Sequence, residues 1–484
     1  MSTIPSGNTR NSVGQEERKF KRSIGLMSNF SLGFTYLSPL TAVYSLFALA
    51  MTLAGPPSIW WILIAAGGQL LVAMVFGEVA SQYPITGGLY PWSRILWGKK
   101  YAWIAAWIYL WALVVTITSI AEYSSTFVAS LLGYEQTAIN LLMTSVVLLL
   151  MMMAINLSGT KNLARVARIG FWCEIVSVIA LGIYLLLFHR MQPISVIFDS
   201  MGVNASTGYT SAFMSASLLG LFMFFGFEAC GNVAEEVQNA SRKIPVAMIL
   251  SIVFGAISAV ISVLGYLLSY PNLHDIVSGK IQNPIPEILN NALGPMGEKI
   301  FIVVAVIAML SCILSLQAAL SRLLFSFSRD KMLPGSSWMA KISKHDVPDN
   351  AMIVSCALPL LVCIWVYYQP DNLARITAFA VVGIYISFQM VVLAALRKRL
   401  QGWKPQGEWS IGRWGIGVNI LALIYGLCGI YLLVQPGEGS FVDKWIVLIG
   451  LFIVVASGAL YMFIARPYSQ QSHEPHYDLS AIKE

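Results

Sequence analysis

Glu228 stands inside an apolar run, Phe222-Met-Phe-Phe-Gly-Phe-Glu-Ala-Cys-Gly-Asn-Val233, with Gly226 and Gly231 on either side. A carboxylate there needs a proton, a cation or hydrogen-bond donors, because a charge in hydrocarbon costs roughly 2.5–3.5 kcal/mol on the insertion scale. Glu78, Glu122, Glu174 and Arg322 also fall within or at the edges of apolar runs. A second run, Gly33-Phe-Thr-Tyr-Leu-Ser-Pro-Leu-Thr-Ala-Val-Tyr44, carries Pro39 between two hydroxyls, Ser38 and Thr41. Proline lacks an N–H and clashes with the preceding turn, so these hydroxyls can serve freed carbonyls or a ligand. The chemistry open to such a set is ligand binding and proton exchange. Metal and covalent chemistry find no support. His189, His274, His345, His473 and His476 lie in loops or the tail, with no pair at ligand spacing on one helix face. Gly87-Gly88 is no phosphate loop, and the absent Walker A motif argues against an ATP-driven pump on this chain. The six cysteines form no CxxC pair and read as small buried hydrophobes. No cofactor or metal is expected.

The elements that must position these residues are membrane helices. Hydrophobic residues make up 57% of the 484 positions and charged ones 11%, against roughly 25% charged in soluble domains. Long apolar runs bounded by charge or turn residues predict twelve spans, near 25–53, 58–82, 101–131, 138–157, 165–189, 210–236, 244–269, 299–327, 350–368, 372–395, 415–434 and 443–465. The first 22 residues are polar and end basic, without a cleavable signal, so the first span is expected to direct its own insertion. With twelve spans and a cytoplasmic N-terminus, 25 of the 30 Lys and Arg fall on the inner side. That asymmetry predicts both termini inside. It also accounts for the net charge of +7 without invoking nucleic acid. The expected divisions are a tail at 1–22, spans one to five in 23–200, spans six to ten in 205–396, two more in 412–466, and a tail at 467–484. Asn204-Ala-Ser206 and Asn239-Ala-Ser241 are weak glycosylation sequons, one in an outer loop and one in an inner loop.

The first and sixth spans are both interrupted, five spans apart, as a five-plus-five inverted repeat requires. Paired broken helices are the best sequence pointer to a transporter site. Broken backbone is tolerated at membrane depth only inside protein or along a cavity. Half-helix N-termini present free N–H groups and a positive dipole end that suit a carboxylate, while unwound carbonyls suit a cation or an ammonium. Ser38, Thr41, Ala42 and Gly226 are therefore expected to hold a polar substrate group. Phe222 and Phe225 are expected to close over it.

Three stretches carry a family resemblance. Gly77-Glu-Val-Ala-Ser-Gln-Tyr-Pro-Ile-Thr-Gly-Gly-Leu-Tyr-Pro-Trp92, leading into Trp103-Ile-Ala-Ala-Trp107, resembles the second-to-third-span signature of the amino acid–polyamine–organocation superfamily. It is most similar to the amino acid/choline transporter branch. Gly226-Phe-Glu-Ala through Glu235-Glu-Val-Gln-Asn-Ala-Ser-Arg-Lys-Ile-Pro245 is similar to the family's sixth span and the loop after it. Ser321-Arg-Leu-Leu-Phe-Ser-Phe-Ser-Arg-Asp-Lys-Met-Leu-Pro334, with Val347-Pro-Asp-Asn-Ala351, resembles the eighth span and its exit.

The resemblance implies an all-α fold of twelve helices: a five-plus-five inverted-repeat core with broken first and sixth helices, plus two C-terminal helices. It implies substrate between spans 1, 3, 6, 8 and 10, and it matches Glu228 to the family's sixth-span carboxylate. The family's first-span Gly-Ser-Gly-Ile-Phe falls on Leu40-Thr41-Ala42-Val43-Tyr44, with both glycines replaced and Pro39 ahead of them. That departure favours an uncharged head group, or an amine without a carboxylate. Some relatives place a lysine in the fifth span in lieu of sodium; here the span has Glu174 and no such lysine. Glu228, Glu174 and Glu78 are the expected coupling or gating residues. The function implied is secondary-active transport of an amino acid or small amine, driven by a proton or by a cation such as sodium. A metabolite exchanger and a transporter-like receptor are the alternatives. The compact loops suit a bacterial inner membrane, and the sequence sets no oligomeric state.

Overall fold

A computed structural model describes residues 22, 24–203, 208–343, 347–369, 372–436 and 440–469. The sequon at Asn204–Ser206, the residues His345, His473 and His476, and the basic residues Arg10, Arg18, Lys19, Lys21, Lys344 and Lys483 lie outside these segments. Among the described residues the structure is helical, apart from one bridge between Ile24 and Val237. Eleven helices are long and apolar enough to cross a bilayer.

The first interruption separates α1 (Leu26–Leu37) from α2 (Pro39–Ala54) at Ser38. Next come α3 (Trp60–Gln82), α4 (Leu89–Trp97), α5 (Lys99–Leu132) and α6 (Ala138–Leu157). Helix α7 (Thr160–Ile175) passes through one π-helical turn, Val176–Ala180, into α8 (Leu181–Phe188). The predicted sixth span is three short helices: α9 (Tyr209–Ser215), α10 (Leu218–Met223) and α11 (Ala229–Asn232). Then follow α12 (Ala240–Ser269), the short α13 (Leu273–Val277) and α14 (Pro284–Arg329). The sequence led us to expect a loop up to 298. Instead, helix begins at Pro284 and kinks at Gly294, where φ is 72°. Pro284 and Pro295 each suit the opening of a helix, where no N–H is needed. The chain ends with α15 (Ser336–Met339), α16 (Asp349–Tyr368), α17 (Leu373–Leu400), α18 (Gly415–Leu433) and α19 (Phe441–Ala465).

Helix α5 is the most buried of the long helices, and α6 and α19 the least. Apolar side chains cover the outer faces of α18 and α19, among them Leu427, Tyr431, Phe452 and Phe463. A bundle that is apolar outside as well as inside is built for lipid. Cys230, Cys312, Cys356 and Cys363 are buried, as small hydrophobes should be, but Cys173 is only partly covered and Cys428 is exposed on α18.

Two polar ties hold the ends of helices together. Glu78 of α3 pairs with Arg399 of α17 and accepts the Ile411 N–H at 3.0 Å. Arg94 of α4 pairs with Asp330, which also accepts the Tyr90 hydroxyl at 2.8 Å. The turn between α3 and α4 packs on the segment after the sixth-span break. A Cβ on Gly88, whose φ is +53°, would lie 2.5 Å from Asn232 Oδ1. Thr86 and Glu235 exchange two hydrogen bonds there, each of 3.2 Å.

The two breaks touch each other. Gly226 has φ +110°, and a Cβ on it would lie 2.6 Å from the Tyr36 ring and 2.7 Å from the Leu37 nitrogen. Gly226→Ala should therefore lower stability by about 2–5 kcal/mol, from left-handed strain plus overpacking. The check is the thermal midpoint and monodispersity of purified protein; an unchanged midpoint would refute the close approach. Glu78→Ala leaves a buried guanidinium without its partner and should cost about 3–5 kcal/mol. The double replacement Glu78→Gln with Arg399→Gln should recover part of that loss in the same thermal assay.

Candidate functional site

The first break forms because Pro39 cannot donate a hydrogen bond and Ser38 adopts left-handed backbone, φ 44° and ψ 78°. Ser38 closes α1 by donating its N–H to the Phe34 carbonyl at 2.8 Å. It also opens α2. Its hydroxyl accepts the Thr41 N–H at 3.4 Å and lies 2.7 Å from the Thr41 hydroxyl. Its carbonyl accepts the Ala42 N–H at 3.4 Å. The remaining first-turn donor, the Leu40 N–H, points to Glu174 Oε1 at 3.3 Å. Glu174 is fully buried, and its second oxygen has no hydrogen-bond partner among the described residues. The Tyr36 carbonyl is met by the Cys312 thiol of α14 at 3.5 Å, which is a weak donor.

The second break runs from Phe224 to Glu228, between α10 and α11. Glu228 turns back on its own loop, where Oε2 accepts the Gly226 N–H at 2.8 Å. Its other oxygen accepts the hydroxyl of Tyr109, from α5, at 2.7 Å. The Tyr109 hydroxyl is 3.4 Å from that of Tyr36. One chain of polar atoms thus joins α5, α1 and the sixth-span loop inside an otherwise apolar bundle. Phe222 and Phe225 are buried and meet edge to face, with ring centroids 5.3 Å apart.

The structure thus brings Ser38, Thr41, Ala42 and Glu174 together at the first break, and Phe222, Phe225, Gly226 and Glu228 together at the second. The backbone N–H groups of Ala42 and Gly226, expected to face substrate, are engaged within the protein. Glu78 sits elsewhere, tied to Arg399. Glu122 faces Ser145 of α6 and Cys363 of α16. Among the described residues, Glu174 and Glu228 take part in no ion pair with lysine, arginine or histidine.

Sequence reasoning missed Tyr109, Tyr36 and Cys312. Tyr109 lies in an aromatic-rich helix, and nothing in its neighbours marks it off from Trp103, Trp107 or Trp111. Only the fold does so. Trp103 is fully buried and donates to the Met332 carbonyl at 3.1 Å, and Trp107 donates to that of Val454 at 2.9 Å. Tyr109 instead meets a carboxylate.

Comparison with known proteins agrees with this architecture. The chain is 24% identical over 438 residues to the amino-acid permease BAT1 homolog of Oryza sativa subsp. japonica, covering 84% of each. It is 22% identical over 460 residues to amino-acid permease BAT1 of Arabidopsis thaliana, covering 88% of this chain and 87% of that one. It is 24% identical over 422 residues to a choline transporter of Saccharomyces cerevisiae, covering 84% of this chain and 74% of the relative. A model of the family described as amino acid permease matches residues 24–457. This multi-pass membrane protein therefore belongs to the amino acid permease family, within the amino acid–polyamine–organocation superfamily.

Proposed function

We propose that this protein is a secondary-active transporter that moves an amino acid or a small amine across the membrane by alternating access. The observation that carries the reading is the contact of two interrupted helices beside two buried carboxyl groups that, among the described residues, have no basic partner. Backbone broken at membrane depth is costly unless protein or a cavity satisfies it, so a pair of such breaks in contact is the arrangement expected of a transport site. The names of the relatives, amino-acid permease and choline transporter, agree with that substrate range.

In this reading the hydroxyls of Ser38 and Thr41 and the backbone carbonyls near Ala42 and Gly226, whose N–H groups are engaged within the protein, hold the polar end of the substrate. Phe222 and Phe225 cover it, and an ammonium against such a ring gains about 0.5–2 kcal/mol. Glu228 links proton binding to the gate. Ionised, it accepts from Tyr109 and the Gly226 N–H; protonated, it no longer needs both donors, and the sixth-span loop is free to rearrange. Glu174 is the second candidate for a proton or cation such as sodium. Glu78, paired to Arg399, ties the inner ends of α3 and α17. The working topology has twelve spans, with inverted repeats in 23–200 and 205–396, the last two helices in 412–466, and both termini in the cytoplasm of a cell with this protein in its inner membrane. The Lys and Arg distribution supports that orientation.

Purified protein in liposomes tests the reading. Wild type should accumulate a substrate found by thermal-shift screening of amino acids, choline, γ-aminobutyrate and polyamines when a proton gradient is imposed, and only equilibrate it without one. Glu228→Gln should retain binding and lose gradient-driven accumulation, by roughly 100-fold in initial rate, within the range for loss of a positioned proton carrier. Full, still pH-dependent uptake by Glu228→Gln would refute its coupling role. Uptake that requires a preloaded counter-substrate would establish an exchanger. Binding without transport of any compound would make the protein a receptor.

A further inference from the structure

The N-terminus of α2 already holds a carboxylate from the protein itself. We infer that Glu174 occupies the seat a substrate carboxylate would need, and that the site selects amines lacking a carboxylate over zwitterionic amino acids. The inference rests on the transport reading above and narrows its substrate class.

The first-turn donors of α2 carry the argument. Pro39 has no N–H to give. Leu40 gives its N–H to Glu174, Thr41 to the Ser38 hydroxyl, and Ala42 to the Ser38 carbonyl. A helix N-terminus attracts anions through such donors and its dipole, and here a carboxyl group has been built in. At the second break the Gly226 N–H is taken in the same manner by Glu228. An incoming carboxylate would have to displace one of these side chains and would then share a buried site with both carboxyl groups.

The same arrangement favours a cation. Glu174 Oε2 is buried and, among the described residues, has no hydrogen-bond partner, an acceptor lacking the donor its surroundings should supply. The groups facing Glu174 are the Ser38 hydroxyl and Leu40 N–H from the first break and the Cys312 thiol from α14. None of them is basic. Among the described residues, the Tyr36 carbonyl is met by the weak thiol donor of Cys312. An ammonium can therefore find a carboxyl acceptor whose ionised form it would favour, a carbonyl lone pair and, at the second break, the aromatic pair Phe222 and Phe225. A quaternary ammonium finds the charge and the rings without needing the hydrogen bonds.

The test uses full-length protein in liposomes and matched pairs differing by a carboxylate: choline with glycine betaine, ethanolamine with glycine, and putrescine with ornithine. Binding is read by thermal shift, and transport by uptake. Wild type should prefer the carboxylate-free member of each pair by about 100-fold in apparent affinity, as expected where like charges meet in a desolvated site. Glu174→Ala vacates the seat and should shrink that preference to within roughly tenfold, chiefly by gaining affinity for the carboxylate member. Glu174→Gln keeps shape and hydrogen bonding, and it guards against a misfolded alanine variant. It should shrink the preference too, by weakening amine binding. If wild type takes up glycine or ornithine as well as ethanolamine or putrescine, or if both variants keep the wild-type preference, this inference falls while the transport reading stands. If no compound binds or moves, both fall.

Discussion

A helix interrupted inside an apolar bundle has backbone groups that water cannot reach, and the fold depends on how these are satisfied. Each unsatisfied group would cost several kcal/mol. The protein answers at both breaks with a side-chain carboxylate. Glu174 reaches from α7 to the Leu40 N–H, and Glu228 curls onto the Gly226 N–H. Tyr109 and Tyr36 extend the second cap into a chain of hydroxyls. The breaks can therefore sit in direct contact, Gly226 against Tyr36 and Leu37, with no space for even a methyl group. The surrounding helices bury this polar seam on every side.

The rest of the bundle braces the seam from a distance. The α3–α4 turn lies against Asn232 and Glu235, just beyond the second break. Its two consecutive glycines have positive φ, so the chain can reverse there without a side chain intervening. The ion pairs Glu78–Arg399 and Arg94–Asp330 hold that turn and its helices to α17 and to the end of α14. A displacement of the sixth-span loop is thus met by the same segment that these pairs anchor.

Much of this was legible in the sequence, for physical reasons. Apolar runs of spanning length bounded by charge placed the long helices within a few residues, because the bilayer sets both length and composition. Pro39 and Gly226 marked the breaks, because both residue types act on the backbone itself. The start of α14 was misjudged, since the polar stretch with Asn290, Asn291 and Glu298 reads as loop, although Pro284 and Pro295 both suit helix openings. The partner of Glu174 was beyond reach. Leu40 lies 134 positions away in sequence, and an apolar residue offers only its backbone N–H, which carries no signal in residue type. The Glu228–Tyr109 bond was hidden likewise, in the first part of a helix where Tyr101, Trp103, Trp107, Tyr109 and Trp111 crowd together.

The π-helical turn at Val176–Ala180 follows Glu174 almost at once. Such a turn holds one residue more than a regular one, and one residue is about 100° of rotation about the axis. The half of the helix bearing Glu174 and the half from Leu181 onward are thereby set out of phase. Were the turn regular, one half would have to swivel by that angle, and Glu174 could not face Leu40 while the outer half kept its packing against α12. The capping of the first break is therefore a matter of helical phase as much as of charge. The fifth span carries a rotational offset that decides which way its only deep acid points.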